Sequence, residues 1–264
     1  MVGAAWADEW RRTDRSFGEL TPALLDPARI GAFASALDIG CGAGELACAL
    51  ARSHPGADVV GLDISEELIA VARARGAGLA NLTFETVDAA RWSARSSRAP
   101  DLVVSRHGVM FFADPVAAFA HLRSQSARAA RLRFSCFRAR EDNGWVAALA
   151  SALPPQPAPQ PGAPGPFAFA SPAHVQAVLE AAGWCGVAFE PFDYAMIAGE
   201  GPAGVEEALD YFQRIGPAAR ALRDLPDGER PGALERLRAV IAAHDKGGQV
   251  ALPAAAWIVT ADAP

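Results

Sequence analysis

Residues 37–50 read LDIGCGAGELACAL, an apolar approach followed by three glycines at alternate positions and then a helix-forming run. Glycine loses more backbone freedom on folding than any other residue, so a chain that spends it at 40, 42 and 44 needs bare or left-handed backbone there. The sequence on either side of the loop repeats the pattern of strand, turn and helix. SALDI is a buried strand and residues 44–52 a helix; ADVVGLDI is a second strand, SEELIAVARARGA a helix capped by Ser65, and LTFETV a third strand. DLVVSRHGVMF then reads as a fourth strand, DPVAAFAHLRSQS as a helix with Pro115 in its first turn, and RLRFSCF as a fifth strand.

Strands alternating with helices imply an α/β fold built on a doubly wound, mostly parallel sheet. GVAFEPFDYAMI supplies a sixth strand and AAAWIVTAD, near the carboxyl end, a seventh, for seven strands in all. Residues 4–26 have helical spacing, with Trp6, Trp10 and Phe17 among the apolar positions. LPPQPAPQPGAPGP at 153–166 is an extended connector, and SPAHVQAVLEAAGW behind it is a short capped helix. About fifty residues before the seventh strand carry two or three helical patterns broken at Gly216-Pro217 and Pro226. The sheet does not need this insertion, which makes it a candidate cover over a substrate.

The chain has 264 residues, 51% of them hydrophobic, enough for one large α/β domain with an insertion. No apolar run approaches the roughly 20 residues a bilayer span needs, and MVGAAWADEWRRTDR turns charged before a signal-peptide core can form, so a cytoplasmic location is expected. Cys41, Cys48, Cys136 and Cys185 show neither a C-x-x-C pair nor metal-ligand spacing with histidines, which suggests free thiols, no disulfide framework and no metal. A net charge of -6 argues against a nucleic-acid binder and favours a small-molecule partner. Six arginines fall between Arg123 and Arg140, but the chain has a single lysine, Lys246. Arginine is its usual cation, and the run reads as solvated surface.

Three classes of nucleotide site use a glycine loop at the first strand of such a sheet. A phosphate loop needs G-x-x-x-x-G-K-[ST], and no lysine is near. A dinucleotide fingerprint needs its third glycine where Glu45 stands, and a negative charge there opposes a pyrophosphate at the helix N-terminus. The third class fits. LDIGCGAG, with Asp38 two places before the first glycine, then Asp63 ending VVGLD, then Asp88 and Ala89 in VDAA, then DLVVSRHGVMFF, occur in the order and spacing of the class I S-adenosylmethionine-dependent methyltransferases, and the chain resembles that family over most of 36–138.

The resemblance implies a Rossmann-like methyltransferase fold with an antiparallel C-terminal strand, spanning 1–264 as a single domain. Its parts would be a helical cover at 1–30, a cofactor-binding core at 31–140, a connector and sixth-strand region at 141–201, and an acceptor-covering insertion at 202–249. It implies S-adenosyl-L-methionine as cofactor, S-adenosyl-L-homocysteine as product, and a small-molecule acceptor methylated by in-line displacement. Cofactor contacts would come from Asp38, Gly40, Cys41, Gly42, Gly44, Asp63, Ile64, Asp88, Ala89, Arg106 and Trp10. His107, at the end of the fourth strand and with an ordinary pKa near 6.5, is the candidate catalytic base. SQSARAARLRF stands where many members have a P-G-G turn before the fifth strand.

Two other readings stay open at this level. One is a catalytically silent S-adenosylmethionine-binding protein. The other is an NAD(P)-dependent oxidoreductase, against which the absence of a Tyr-x-x-x-Lys pair also counts. Oxygen, nitrogen, carbon and sulfur acceptors are all compatible with the motifs.

Overall fold

A computed structural model describes residues 2–94, 98–156 and 162–264. Its sheet has seven strands: β1 (Ser35–Ile39), β2 (Asp58–Asp63), β3 (Leu82–Thr86), β4 (Leu102–Arg106), β5 (Arg131–Phe137), β6 (Cys185–Glu200) and β7 (Gln249–Asp262). They lie in the order β3-β2-β1-β4-β5-β7-β6, with β1 to β5 pairing in parallel and β7 antiparallel to β5. The doubly wound sheet with a reversed C-terminal strand is therefore present. β1 is buried along its whole length, as a central parallel strand covered on both faces must be.

The register contains one irregularity. β1 stays paired with β2 as far as Ile39↔Leu62, and β4 with β5 as far as Arg106↔Ser135, but β1 and β4 part after Asp38↔Val104. This is the switch point, where consecutive crossovers leave on opposite sides and a crevice opens beyond the strand ends.

The chain forms two compact units. One comprises Leu20–Arg138, Pro161–Phe192 and Ala256–Pro264 and carries β1 to β5 with their crossover helices. Three helices of this unit start where the sequence supplies side-chain caps: Ser65 accepts from Leu68 N, Asp114 from Ala117 N and Ser171 from His174 N. The other unit comprises Met1–Glu19, Ala139–Gln160 and Asp193–Ala255. It is largely helical, with helices at Val2–Asp8, Trp10–Ser16, Gly144–Ala152, Gly204–Arg214, Gly216–Arg223 and Arg230–Ala242. Within it Arg12 bridges Glu9 at 2.9 Å, Asp210 at 2.7 Å and Glu207 at 3.4 Å, joining its N-terminal helices to Gly204–Arg214.

Several local expectations need correction. The fourth strand ends at Arg106 rather than running to residue 111, because His107 takes a φ of 59° that no strand accommodates, and a 3-10 turn follows at Val109–Phe111. The helical stretch at 4–26 is three helices, Val2–Asp8, Trp10–Ser16 and Leu20–Leu24. The region read as a connector before the sixth strand contains the helix Gly144–Ala152. Part of the proline-rich connector, 157–161, lies outside the described residues.

The arginine run is not simply solvated surface. Arg133 is 4% exposed, and its guanidinium donates to Leu24 O at 2.9 Å and Ala23 O at 3.1 Å, satisfying the last carbonyls of the helix Leu20–Leu24. Arg131 likewise donates to Ile30 O, at the end of the helix Pro27–Ile30, and to Ala32 O just beyond it. In the segment SQSARAARLRF, which leads into β5, Ala129 holds the left-handed conformation, with φ 61°.

Candidate cofactor site

The three loop glycines all have positive φ, 62° at Gly40, 54° at Gly42 and 84° at Gly44, yet they are bare for different reasons. A Cβ on Gly40 would lie 2.9 Å from the Cα of Gly108, and one on Gly44 would lie 2.8 Å from the Phe84 ring. Both positions are spent on close packing. A Cβ on Gly42 would meet nothing within 4 Å. Gly42 alone opens its backbone to an approaching group.

The carboxylate of Asp63, at the end of β2, fastens this loop. Its Oδ2 accepts from Gly42 N at 2.9 Å and its Oδ1 from Ser65 N at 2.9 Å, while Cys41 N donates to Leu62 O at 2.8 Å. Each carboxylate oxygen keeps further acceptor capacity after one backbone bond. Ile64, the next residue, is 77% exposed, unusual for an isoleucine beside a buried sheet. Beyond β3, Asp88 accepts from Ala90 N at 2.9 Å, with its side chain half exposed, and Ala89 is buried beside it.

Asp38 sits deeper. It is 1% exposed and accepts from Ala47 N at 3.1 Å, in the first turns of the helix Glu45–Ser53. Burial pushes its carboxyl up to about 7, with the charges of Asp63 and Glu45 adding to the effect and Arg106 opposing it. Cys41 is also buried, and its thiol is held well above the usual value by the same desolvation and by the neighbouring carboxylates. Arg106, at the end of β4, donates to Glu45 and, at 2.7 Å, to Thr21 Oγ1.

His107 is 8% exposed and stacks on Phe137, ring centroids 4.1 Å apart at 12°. Burial, assisted by the charge of Arg106, lowers its pKa to about 3. The expectation of an imidazole titrating near 6.5 is corrected: in this structure the ring is neutral and weakly basic at any physiological pH.

Residues 36–127 match the family model described as a methyltransferase domain. That segment is a methyltransferase domain. Trans-aconitate 2-methyltransferase of Methylobacterium radiotolerans is 39% identical to the chain over 79 residues, 30% of this chain and 28% of that protein. The match thus spans less than a third of that curated relative's length. Among solved structures, the YcgJ protein of Bacillus subtilis superposes with a TM-score of 0.56 at 17% identity, over 94% of this chain and 97% of that one. Phosphoethanolamine N-methyltransferase 2 of Haemonchus contortus, solved in complex with S-adenosyl-L-methionine, gives a TM-score of 0.56 at 17% identity, over 100% of this chain and 57% of that one. At such identities the two structures establish the fold.

Within the methyltransferase domain, Asp38, Gly40, Cys41, Gly42, Gly44, Asp63, Ile64, Asp88, Ala89, Arg106 and His107 gather at or just beyond the carboxyl ends of β1 to β4. Trp10 belongs to the helical unit, where the Arg11 guanidinium lies 4.3 Å from the centre of its ring. The open backbone of Gly42, the partly unsatisfied carboxylate of Asp63 and the exposed face of Ile64 suit a ligand with a polar, hydroxylated part and a flat apolar part, as a nucleoside has. Sequence reasoning missed Ser105, Gly108, Phe84 and the partnership of Glu45 with Arg106. Only Glu45 carried a usable signal, as the lone charge directly after the glycines.

Proposed function

We propose that this chain transfers a methyl group from S-adenosylmethionine to a small-molecule acceptor by in-line displacement, leaving S-adenosylhomocysteine. The observation that carries the reading is the fastening of a bare, outward-facing glycine by the carboxylate that ends β2: Gly42 N to Asp63 Oδ2, at 2.9 Å, with no room taken above the glycine. In our reading Gly40, Cys41, Gly42 and Gly44 shape the backbone cradle. Asp63 accepts from ribose hydroxyls, Ile64 and Ala89 border the base, and Asp88 accepts from its polar edge. Asp38 orients the start of the helix behind the loop, and Arg106 completes the set of candidate contacts within this unit.

When bound, the cofactor supplies an activated methyl on a sulfonium, so the protein's task is alignment and exclusion of water. Alignment alone can contribute about 7 to 11 kcal/mol when the reacting atoms are held near attack distance. The carboxylate of Asp63, together with that of Glu45 paired to Arg106, forms a surrounding suited to a cation. His107, neutral and stacked on Phe137, is assigned to positioning the acceptor side of the crevice rather than to accepting a proton. No helix among the described residues is long and apolar enough to cross a membrane, and four free thiols support a reducing, cytoplasmic setting. A net charge of -6 supports a small acceptor over a nucleic acid.

Calorimetry with S-adenosylmethionine, S-adenosylhomocysteine and NAD tests the reading. Asp63→Asn should weaken binding of both adenosyl ligands about tenfold or more, since a hydrogen bond to a charged group contributes about 1.5 to 3 kcal/mol. Tight NAD binding without adenosyl binding would overturn the proposal. Cofactor binding with no turnover across oxygen, nitrogen, carbon and sulfur acceptors would leave a silent binder.

A further inference from the structure

The parting of β1 and β4 leaves a buried carbonyl that the strand ladder no longer serves. The last pair is Asp38↔Val104, so Ile39, one residue on, cannot receive the next ladder hydrogen bond from β4. Ser105 takes over. Its hydroxyl, in a residue with no solvent exposure, donates to Ile39 O at 2.7 Å and at the same time accepts from Gly108 N at 3.1 Å. One side-chain oxygen thus joins the end of β1, where the glycine loop begins, to the turn that follows His107.

The backbones of the two loops touch beside this hydroxyl. A Cβ on Gly108 would fall 2.6 Å from Ile39 O and 3.0 Å from Gly40 Cα, so neither Gly40 nor Gly108 tolerates a side chain. His107, next to Gly108 in the chain, is held in the left-handed region, φ 59°, with its N–H on Ser135 O at 3.1 Å. Non-glycine residues persist there only when their surroundings over-determine them. The β4 turn therefore has a fixed position relative to β5 through His107 and relative to the glycine loop through Ser105.

We propose that Ser105 is a positioning residue: its hydroxyl sets the width of the fork between β1 and β4 and makes the His107–Gly108 turn follow the glycine loop when the adenosyl cofactor is bound. This rests on the reading that the glycine loop holds that cofactor. The proposal gives Ser105 no contact with cofactor or acceptor. Its action is to hand the state of one loop to the other, so that the acceptor side is in register only when the cofactor side is filled. A serine that merely satisfied a buried carbonyl would stabilise the fold without carrying that information.

The test uses S-adenosylhomocysteine as the probe and reads amide hydrogen exchange in two segments, 38–46 and 104–112, in the intact chain. The wild type should gain protection in both segments on binding. Ser105→Ala should bind the probe within about threefold of wild type, because the contacts assigned to Gly42, Asp63 and Asp88 are untouched, yet gain protection only in 38–46. Ser105→Thr, which keeps the hydroxyl, should restore the response in 104–112, and Ser105→Cys, of similar size but a weak hydrogen-bonding partner, should not.

Protection of both segments in Ser105→Ala would overturn the proposal. So would a loss of binding in Ser105→Ala that follows its loss of folded protein, since that is the mark of a purely structural residue. If Ser105→Ala fails to fold, the contrast between Ser105→Thr and Ser105→Cys decides alone. A wild type that binds no S-adenosylhomocysteine removes the functional reading and this inference with it, whereas a binding wild type with uncoupled loops removes only the inference.

Discussion

Asp38 and His107 are both buried in the sheet-bearing unit and both displaced toward their neutral forms, so they oppose each other in the pH dependence of stability. Asp38 is lifted from 3.8 to about 7 and His107 lowered from 6.5 to about 3. Between about pH 4 and pH 7 the folded carboxyl keeps a proton that the unfolded chain has released, and stability falls as pH rises. Between about pH 3 and pH 6.5 the unfolded imidazole holds a proton that the folded one refuses, and stability rises with pH. Each slope approaches about 1.4 kcal/mol per pH unit, so the two nearly cancel where they overlap.

Removing either group exposes the other. His107→Asn, whose side chain tolerates positive φ, should lose about 2 kcal/mol relative to wild type on going from about pH 4.5 to about pH 6. Asp38→Asn should gain about as much over the same interval. Urea unfolding followed by circular dichroism at four or so pH values gives the difference in free energy directly, and any constant cost of the substitution drops out of the slope. A difference between His107→Asn and wild type that is independent of pH would refute the burial argument for His107. The same result for Asp38→Asn would refute it for the carboxyl.

The glycines separate in the same kind of experiment. Gly44→Ala meets both the Phe84 ring and an unfavourable φ and should cost about 2 to 3 kcal/mol in thermal or urea unfolding. Gly42→Ala faces open space and should cost only the backbone penalty, about 1 kcal/mol, while weakening adenosyl binding measured by calorimetry far more than it weakens the fold. Ala129→Gly should stabilise the chain by about 0.5 to 1 kcal/mol, since it relieves a left-handed alanine at some cost in unfolded-state entropy. A lower melting temperature for that variant would show the turn to be unstrained.

The sequence makes plain the features that repeat with a physical period or require a special backbone. Five parallel strands follow from apolar runs alternating with helical spacing, three helix starts from Ser65, from Pro115 and from the capped opening of SPAHVQAVLEAAGW, and the ligand loop from its glycines. The end of β4 was hidden because HGVMF continues an apolar pattern, and only the left-handed backbone of His107 stops the strand. The helix Gly144–Ala152 escaped notice for the opposite reason, since GWVAALASA is apolar nearly all round and offers no alternation to read. Arg133 looked like surface in a run of arginines, because a sequence does not reveal that two helix-end carbonyls wait beside it. Ser105 carries no signal at all. A serine inside a strand is ordinary, and its importance comes from the neighbouring strand's departure.

That departure bears on how such a chain can diverge. Apart from Arg106 at the end of β4, the residues assigned to the cofactor in this unit run from Asp38 to Ala89, in one stretch and one leaf of the sheet, β3-β2-β1, while β5, β7 and β6 lie on the far side of the fork, beyond β4. A lineage can therefore rewrite the far leaf and everything attached to it while inheriting the near leaf intact. The methyltransferase-domain match fits that division: residues 36–127 take in the near leaf from Ala36 and β4, and end before β5 begins at Arg131.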